Sequence, residues 1–565
     1  MRLFRKLFIS CLAVLFLFAG VPLAYAQQKV TVKGKVVDTG GLPVPGAAVI
    51  EKGTSNGVST GSEGEFDIEV RTGATLVVSC IGYSDKEAPA RNGVTITLSE
   101  DNLFLDEVVV LAYGTQKKQF VVGSVTQVTS KDIVKAPTTD VTNMLAGKLA
   151  GVTAIQSSGT PGEDQAGLTV RGLSTYGSNS GPLYIIDGME SGQISNLNPN
   201  DIASISVLKD AATAAIYGVK GGNGVILITT KSGSKADHAT INYDGSYTLT
   251  RNTAMPEMLN AREYIYWHNM ARMLDGNAPM WTEENIKTMQ ANGVTGDDAW
   301  LDAGGTDWRA LVYNDFGSLQ QHNISASGGN DKFSYYSSMG YMDQKGIVRE
   351  TGLTRYNVRA NIDAKLAQGL RYNINMTGRY SYRHMPGYSF DSSLRFIQGY
   401  YNPIQRAHYS IPIIKNTFTD SEGVTYPLGL LNGQMVLSPD SSLTESGYSD
   451  SRTYETAIRS TLEYSFDNID FLKGLKASVF GGFNFSMSNA KSYERSYDLY
   501  YFDRTKLQAF KTVSQGIPQS IFSKSYSHDW SYTLRPQISY ERTFGKHAIS
   551  AVALYEQTVR YSESM

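Results

Sequence analysis

Hydrophobic and polar positions change rhythm twice along this chain. From residue 29 to 98 they alternate in short runs: Val30, Val32 and Val36, then Phe66, Ile68 and Val70, then Val94, Ile96 and Leu98. Polar residues lie between them, and Gly, Pro, Asn and Ser separate the runs. A period of two cut by turn residues predicts a small antiparallel β-sandwich. From residue 120 to 232 the pattern is mixed. Runs such as LTVRG, PLYIID, ASISVLK and GVILITTK are interleaved with short helical stretches. Asp210 is placed to cap a helix over residues 211–217 that Gly218 ends, and Asn198 before Pro199 starts a shorter one. A compact α+β unit with mixed strands is expected.

From residue 238 onward the alternation becomes long. In YNVRANIDAKL, Tyr356, Val358, Ala360, Ile362, Ala364 and Leu366 share one face, opposite Asn357, Arg359, Asn361, Asp363 and Lys365. INYDGSYTL, FSYYSSMGYM, LRYNINMTGRYSY, YETAIRSTLEYSF, LKASVFGGFNFSM, YTLRPQISYE and AISAVALYEQ repeat it. Stretches of about ten alternating residues with aromatics near their ends are the mark of a transmembrane β-barrel. Short connections (GGNDK, AQG, DNIDFLKG, FGKH) alternate with others, three of them long: residues 251–317, 384–451 and 498–525. Short turns belong on the periplasmic side and long loops outside. Residues 257–291 carry helical periodicity, so the first long loop is expected to hold helices. Tyr266 and Trp267 there are read as packing the loop rather than touching a ligand.

Composition agrees. The 565 residues carry a formal charge of −2, which gives no basis for nucleic-acid binding, and 29 of the 35 tyrosines lie after residue 232. The N-terminus combines Arg2, Arg5 and Lys6 with an apolar run from Leu7 to Ala19 and the sequence Ala24-Tyr25-Ala26. This predicts a signal peptide over 1–26, cleaved between Ala26 and Gln27. Cys11 leaves with it, and Cys80 remains as a lone thiol without a disulfide partner. No later run is long and apolar enough for a spanning helix, so any membrane crossing must be made by strands.

Two motifs invite catalytic readings. Gly57-Val58-Ser59-Thr60-Gly61 matches the hydrolase elbow G-x-S-x-G, but no helix follows. Gly218 to Gly224, GVKGGNG, leads from a helix into a strand, the reverse of the phosphate-cradling loops. The seven histidines are scattered, and neither H-E-x-x-H nor C-x-x-C occurs. No enzyme, cofactor or metal site is expected.

Between the first two regions lies LDEVVVLAYGTQKKQ, residues 105–119. It is an aliphatic strand-former with acids before it and lysines after it. A strand in a connecting segment leaves backbone groups seeking a partner.

The stretch GKVVDTGGLPVPGAAVIEKGTSNGVSTGSEGEFDI resembles the carboxypeptidase-regulatory-like sandwich, a non-catalytic domain. The series LDEVVVLAYGTQKK, MLAGKLAGV, LTVRGLSTYGSNSGPLYIIDGM and SVLKDAATAAIYGVKGGNGVILITTK resembles the SusC/RagA family of TonB-linked outer-membrane proteins. That resemblance implies domains at 1–26 (signal peptide), 27–100 (β-sandwich), 101–119 (TonB box and linker), 120–234 (plug) and 235–565 (partial barrel with extracellular loops). The fold class is mainly β: a sandwich, an α+β plug and the first part, about nine strands, of an antiparallel transmembrane barrel. It also implies that Asp106, Glu107, Val108, Val109, Val110, Leu111 and Ala112 pair as a strand with the TonB protein of the inner membrane. Strand addition of this kind uses main-chain hydrogen bonds.

The resemblance further implies a Gram-negative outer-membrane location, with the N-terminal domain periplasmic. Implied partners are a SusD-like surface lipoprotein and a glycan or peptide cargo. Substrate-binding residues are left open. A receptor or adhesin that binds without transport is the alternative; signalling through a further N-terminal domain is disfavoured, because the sandwich follows the signal peptide directly. An odd count of strands cannot close a single-chain bacterial barrel, and the plug is too large for an eight- or ten-stranded lumen. The chain is therefore expected to be the N-terminal half or so of a longer transporter.

Overall fold

The computed structural model describes residues 29–54, 56–80, 83–98, 108–111, 114–117, 125–133, 138–172, 181–194, 197–233, 236–284, 287, 305–387, 403–413, 416–419, 423–427, 438–495, 500–503, 508–511, 520–545 and 547–565. It divides into two compact units, with the boundary running through residues 109–122. The expected signal peptide lies outside the described residues.

The first unit contains seven strands: β1 (Lys29–Asp38), β2 (Ala48–Glu51), β3 (Gly57–Ser59), β4 (Glu65–Arg71), β5 (Thr75–Cys80), β6 (Tyr83–Pro89) and β7 (Val94–Leu98). They form two sheets, ordered β4-β1-β7 and β3-β2-β5-β6. The alternating residues Val32, Val36, Phe66, Ile68, Val70, Ile96 and Leu98 meet in one core. Val30 does not join them; it is 42% exposed at the strand's start. One expectation fails: β1 and β7 are parallel, not antiparallel. Period two fixes which face a residue takes but carries no strand direction. Within Gly57–Gly61, Ser59 ends a strand, and buried Thr60 accepts the Ala47 N–H (2.8 Å) and donates to the Val44 carbonyl (2.7 Å). Its hydroxyl is structural.

Next come two short strands, β8 (Val108–Leu111) and β9 (Gly114–Lys117), paired with each other. The plug follows with β10 (Val125–Thr129), β11 (Val152–Gln156), β12 (Ala166–Val170), β13 (Leu183–Ile186), β14 (Met189–Ser191), β15 (Ile202–Leu208) and β16 (Val225–Thr230). Its main sheet runs β10-β15-β16-β13-β14, with β13 and β16 parallel and the other pairs antiparallel. The unbroken apolar run VILI in β16 has a simple cause. Ile226 and Ile228 enter the larger plug core, while Val225 and Leu227 enter a second cluster on the opposite face. A sheet covered on both sides needs no polar alternation. The helix after Asp210 is shorter than expected: Ala211–Ala214 is α-helical, and a 3-10 segment continues to Asn223 across a kink at Gly218. Asp210 makes no capping bond, because its carboxylate faces Arg171 at 2.5 Å. Asn198 does cap, accepting the Asn200 N–H.

The remaining strands are β17 (Ala236–Thr250), β18 (Gly317–Gly329), β19 (Phe333–Lys345), β20 (Gly352–Ala367), β21 (Leu370–Pro386), β22 (Thr417–Thr419), β23 (Thr425–Pro427), β24 (Gly447–Ser465), β25 (Leu475–Glu494), β26 (Tyr500–Asp503), β27 (Gln508–Lys511), β28 (Ile521–Phe544), β29 (His547–Leu554) and β30 (Gln557–Ser564). Ten of these make one antiparallel sheet, β17-β18-β19-β20-β21-β24-β25-β28-β29, with β30 also on β28. Because β29 and β30 pair with successive halves of β28, they share one position, the ninth. Strand β21 runs four residues past its alternating stretch, to Pro386, and β24 begins seven residues before its own, at Gly447. There His384, Asp450 and Arg452 occupy outward positions, so the pairing continues after the hydrophobic rhythm has stopped.

This sheet is inverted relative to a water-soluble one. Val358 is 49% exposed while its neighbour Arg359 is 4% exposed, and Asn323, Ser325, Ser338 and Asn361 are buried like Arg359. On the outward face, Tyr372 and Tyr382 on β21, Tyr454 and Tyr464 on β24, and Trp530 and Tyr540 on β28 stand about ten residues apart. At about 3.3 Å per residue and a tilt near 40°, that is a band of about 25 Å. No described helix is long and apolar enough to cross a membrane.

In the first long connection, helix Ala261–Leu274 opens with a full capping box between Asn260 and Glu263. Tyr266 and Trp267 do not pack this loop as expected: each is 56% exposed, and they meet each other edge to face at 5.2 Å. Buried Ile265 and Trp281 take that role, with Tyr264 and His268 against Trp281.

Candidate functional site

Two features bear on function: the strap before the plug and the seam between plug and wall. In the strap, Val108, Val109, Val110 and Leu111 form β8, while Asp106, Glu107 and Ala112 lie outside the described residues, as do Ala26 and Gln27. Neither sandwich sheet contains β8, so it is not a last strand of that domain; its partner is β9. An isolated two-stranded hairpin is marginally stable in water. It also leaves one side of β8 without a strand neighbour among the described residues.

The seam is built from polar residues of the sheet's inner face. Arg359 of β20 reaches Asp187 at 3.6 Å and Asp201 at 3.4 Å, with all three side chains at least nine-tenths buried. These contacts are close enough for ion pairing, though Arg359 Nε and Nη1 are not aligned for hydrogen bonds. Each carboxylate has further donors. Asp201 accepts Tyr336 Oη–H (2.9 Å) and Ser338 Oγ–H (2.6 Å), and Asp187 accepts the Thr230 N–H and hydroxyl (both 2.9 Å). Asn361 donates to Thr230 Oγ1 and to the Lys231 carbonyl. At Gly233, an added Cβ would stand 2.2 Å from the Tyr335 backbone nitrogen, so the chain leaving the plug lies directly on the wall.

Elsewhere along the seam Arg355 donates to the Thr139 carbonyl, Arg383 pairs with Glu163 at 2.6 Å, and Arg535 donates to the Gly188 carbonyl at 3.0 Å. Glu190, beside Gly188, binds Lys220 (2.7 Å) and Arg560 (2.8 Å). Burial pushes its carboxyl upward, but these two cations outweigh that and hold it below the ordinary carboxylate range. Sequence reading located these wall residues only as members of a polar face. Their pairing with aspartates 158 to 172 residues away could not be read there.

Asp140 caps the helix Val141–Met144, accepting the Thr142 N–H at 2.7 Å. Burial is the largest influence on its carboxyl and raises the pKa above the ordinary 3.8, against the Thr142 hydrogen bonds and the charge of Arg355. The unfolded chain thus ionises this group at lower pH than the folded plug does. Stability falls as pH rises from the unfolded pKa through the folded one, then levels. Asp140→Asn keeps the acceptor for Thr142. It is expected to flatten the slope of thermal stability as pH rises above the ordinary carboxylate value of 3.8.

A profile described as TonB-dependent Receptor Plug Domain matches residues 117–225, and one described as CarboxypepD_reg-like domain matches residues 32–110. Among curated proteins, the TonB-dependent receptor SusC of Bacteroides thetaiotaomicron is 34% identical over 423 residues, covering 69% of this chain and 40% of that protein. The TonB-dependent receptor P39 of Formosa agariphila is 35% identical over 361 residues, covering 63% and 33%. The chain thus spans less than half the length of these relatives. Among solved structures, the RagAB peptide importer in its open-open state superposes with a TM-score of 0.64 at 22% identity, over 81% of this chain and 50% of that one.

Proposed function

The chain belongs to the TonB-dependent receptors of the SusC/RagA type, and from that premise we propose that it is the plug-bearing part of an active importer of large nutrients. Its place is the outer membrane, with the sandwich on the periplasmic side. The single observation that carries this reading is the inverted sheet, apolar outward and charged inward, clasping the plug through Arg359, Asp187 and Asp201. Such a sheet is stable only with lipid outside and a polar filling inside.

The handle is residues 106–112. TonB adds a strand to β8, along its unpaired side or in place of β9. A few main-chain hydrogen bonds, at about 1 kcal/mol net each, hold this junction weakly at rest. Loaded along the strands they share the force, and the plug moves. A SusD-like lipoprotein is the lid, and the cargo is an oligosaccharide or a peptide. The SusC and RagAB relatives support a lid of this kind, and the RagAB peptide importer supports the peptide alternative.

Deleting residues 106–112 in the complete receptor is expected to reduce uptake of its cargo to background while surface binding persists. Uptake that survives the deletion would exclude a TonB-driven importer. Unchanged binding with no uptake in the intact protein would instead favour a receptor or adhesin.

A further inference from the structure

A cavity of about 620 Å³ lies between the plug hairpin β13–β14 and the inner face of strands β20, β21, β24, β25, β28 and β30. Its cations are matched to carboxylates with one exception. Arg379 pairs with Glu455 at 2.6 Å, Arg560 with Glu190 at 2.8 Å, and Arg359 with Asp187 and Asp201. Arg459 also lines the cavity and is only 5% exposed. Among the described residues it has neither an ion pair nor a side-chain hydrogen bond, and its Nε is buried without a partner.

The surroundings keep Arg459 in this state. Its partner on β25 is Gly482, which has no side chain to cover it. A Cβ at Gly482 would stand 2.6 Å from Met189 Sδ, so the plug uses that space for an apolar side chain. Asp187, the carboxylate whose charge acts on Arg459, lies beyond ion-pair distance of it, and both Asp187 and Asp201 are engaged by Arg359 and by hydroxyl donors. Of the other acids in the lining, Glu556 pairs with Arg535 at 3.1 Å, and Asp529 is exposed and lies two strands and four residues away, on the order of 15 Å. A buried guanidinium with neither a contacting carboxylate nor a hydrogen-bond partner is costly, and such groups call for an explanation in a native fold.

We propose that Arg459 is the anchor of a luminal binding site for a carboxylate-bearing, hydroxylated ligand, with Thr377, Asn484 and Ser531 as neighbouring polar contacts. The carboxylate takes the guanidinium by charge-assisted hydrogen bonds. Arg459 lies in the transverse row of Asn361, Asn375, Gly482, Thr533 and Thr558, and the next row holds Thr377, Asn484 and Ser531, so amides and hydroxyls line this part of the wall, with the buried ring of Phe480 beside Gly482. The site deepens the importer reading, and rests on it in taking the ligand to be cargo in transit. The carboxylate belongs either to an acidic sugar or to the C-terminus of a peptide.

The test is calorimetric titration of the complete receptor in detergent with glucuronate, glucose, diglycine and diglycine amide. Glucuronate, diglycine or both are expected to bind, and the two neutral probes are not. Arg459→Gln is expected to weaken binding about tenfold or more, the loss of a charge-assisted hydrogen bond, whereas Arg459→Lys retains part of it. Heat-dependent gel mobility of each variant verifies a folded barrel. Binding of glucuronate alone assigns an acidic glycan, and binding of diglycine alone a peptide. Failure of both acids, equal binding of the neutral probes, displacement by chloride alone, or an Arg459→Gln variant that binds like the parent would overturn the site. If the site fails while uptake still requires residues 106–112, the importer reading stands without it. If the site holds while uptake ignores those residues, the importer reading falls alone.

Discussion

Asp201→Ala is expected to loosen the plug from its wall, at a cost of about 3–5 kcal/mol. The substitution removes the acceptor of Tyr336 and Ser338 and one of the two counter-charges of Arg359, whose side chain is 2% exposed. The larger part of the penalty comes from what remains: a guanidinium and two hydroxyls held in a place that water does not reach. The measurement is limited proteolysis of the plug in the assembled receptor, together with the entry of large antibiotics into whole cells. Faster plug cleavage and greater antibiotic sensitivity are expected. The double variant Asp201→Leu with Arg359→Met should recover much of the loss, because replacing both ends of a buried pair is far milder than removing one. Asp187 keeps the recovery incomplete, since its own interaction with Arg359 is lost too. An Asp201→Ala plug as protease-resistant as the parent would show that the seam is held by other contacts.

Ile362→Arg is expected to prevent assembly of the sheet in a membrane, at about 2–4 kcal/mol for a cation near the bilayer midplane. Ile362 lies between Tyr356 and Leu366 on the outward face of β20, opposite Ile374 of β21. Its neighbour Asn361 points inward and binds Thr230 and Lys231 of the plug. Ile362→Ala serves as the control, since it shortens the side chain without adding charge. The readout is the fraction of receptor showing heat-dependent gel mobility in outer-membrane preparations. The arginine variant should be largely unassembled and the alanine variant close to normal. Normal assembly of Ile362→Arg would mean that this face does not meet lipid.

What can be read from the chain alone follows from the reach of each interaction. The sandwich core, the alternating wall and the change of rhythm at its edges were all legible, because a strand's period of two ties each side chain to one environment. Val358 beside Arg359 needs no partner to show which faces lipid. The short turns were equally readable, since they are local. Strand direction was not, as the parallel β1–β7 pair shows. Nor was the true end of β21, where the outward face turns polar at His384 while the pairing continues to Pro386. Helix capping by Asp210 failed because Arg171, 39 residues earlier, competes for the same carboxylate.

The sequence by itself determined that the C-terminal region is a sheet of long alternating strands preceded by a compact α+β unit, because side-chain polarity and local spacing suffice for that; that the unit fills the sheet was implied by the family resemblance. Only the tertiary structure decided which charges meet: Arg359 with Asp187 and Asp201, Arg560 with Glu190, and Arg459 with no carboxylate at ion-pair distance among the described residues. Those partners stand 158 to 370 residues apart. Coulomb and hydrogen-bond energies act over a few ångströms, so they are settled by strand register and by the seat of the plug, not by distance along the chain.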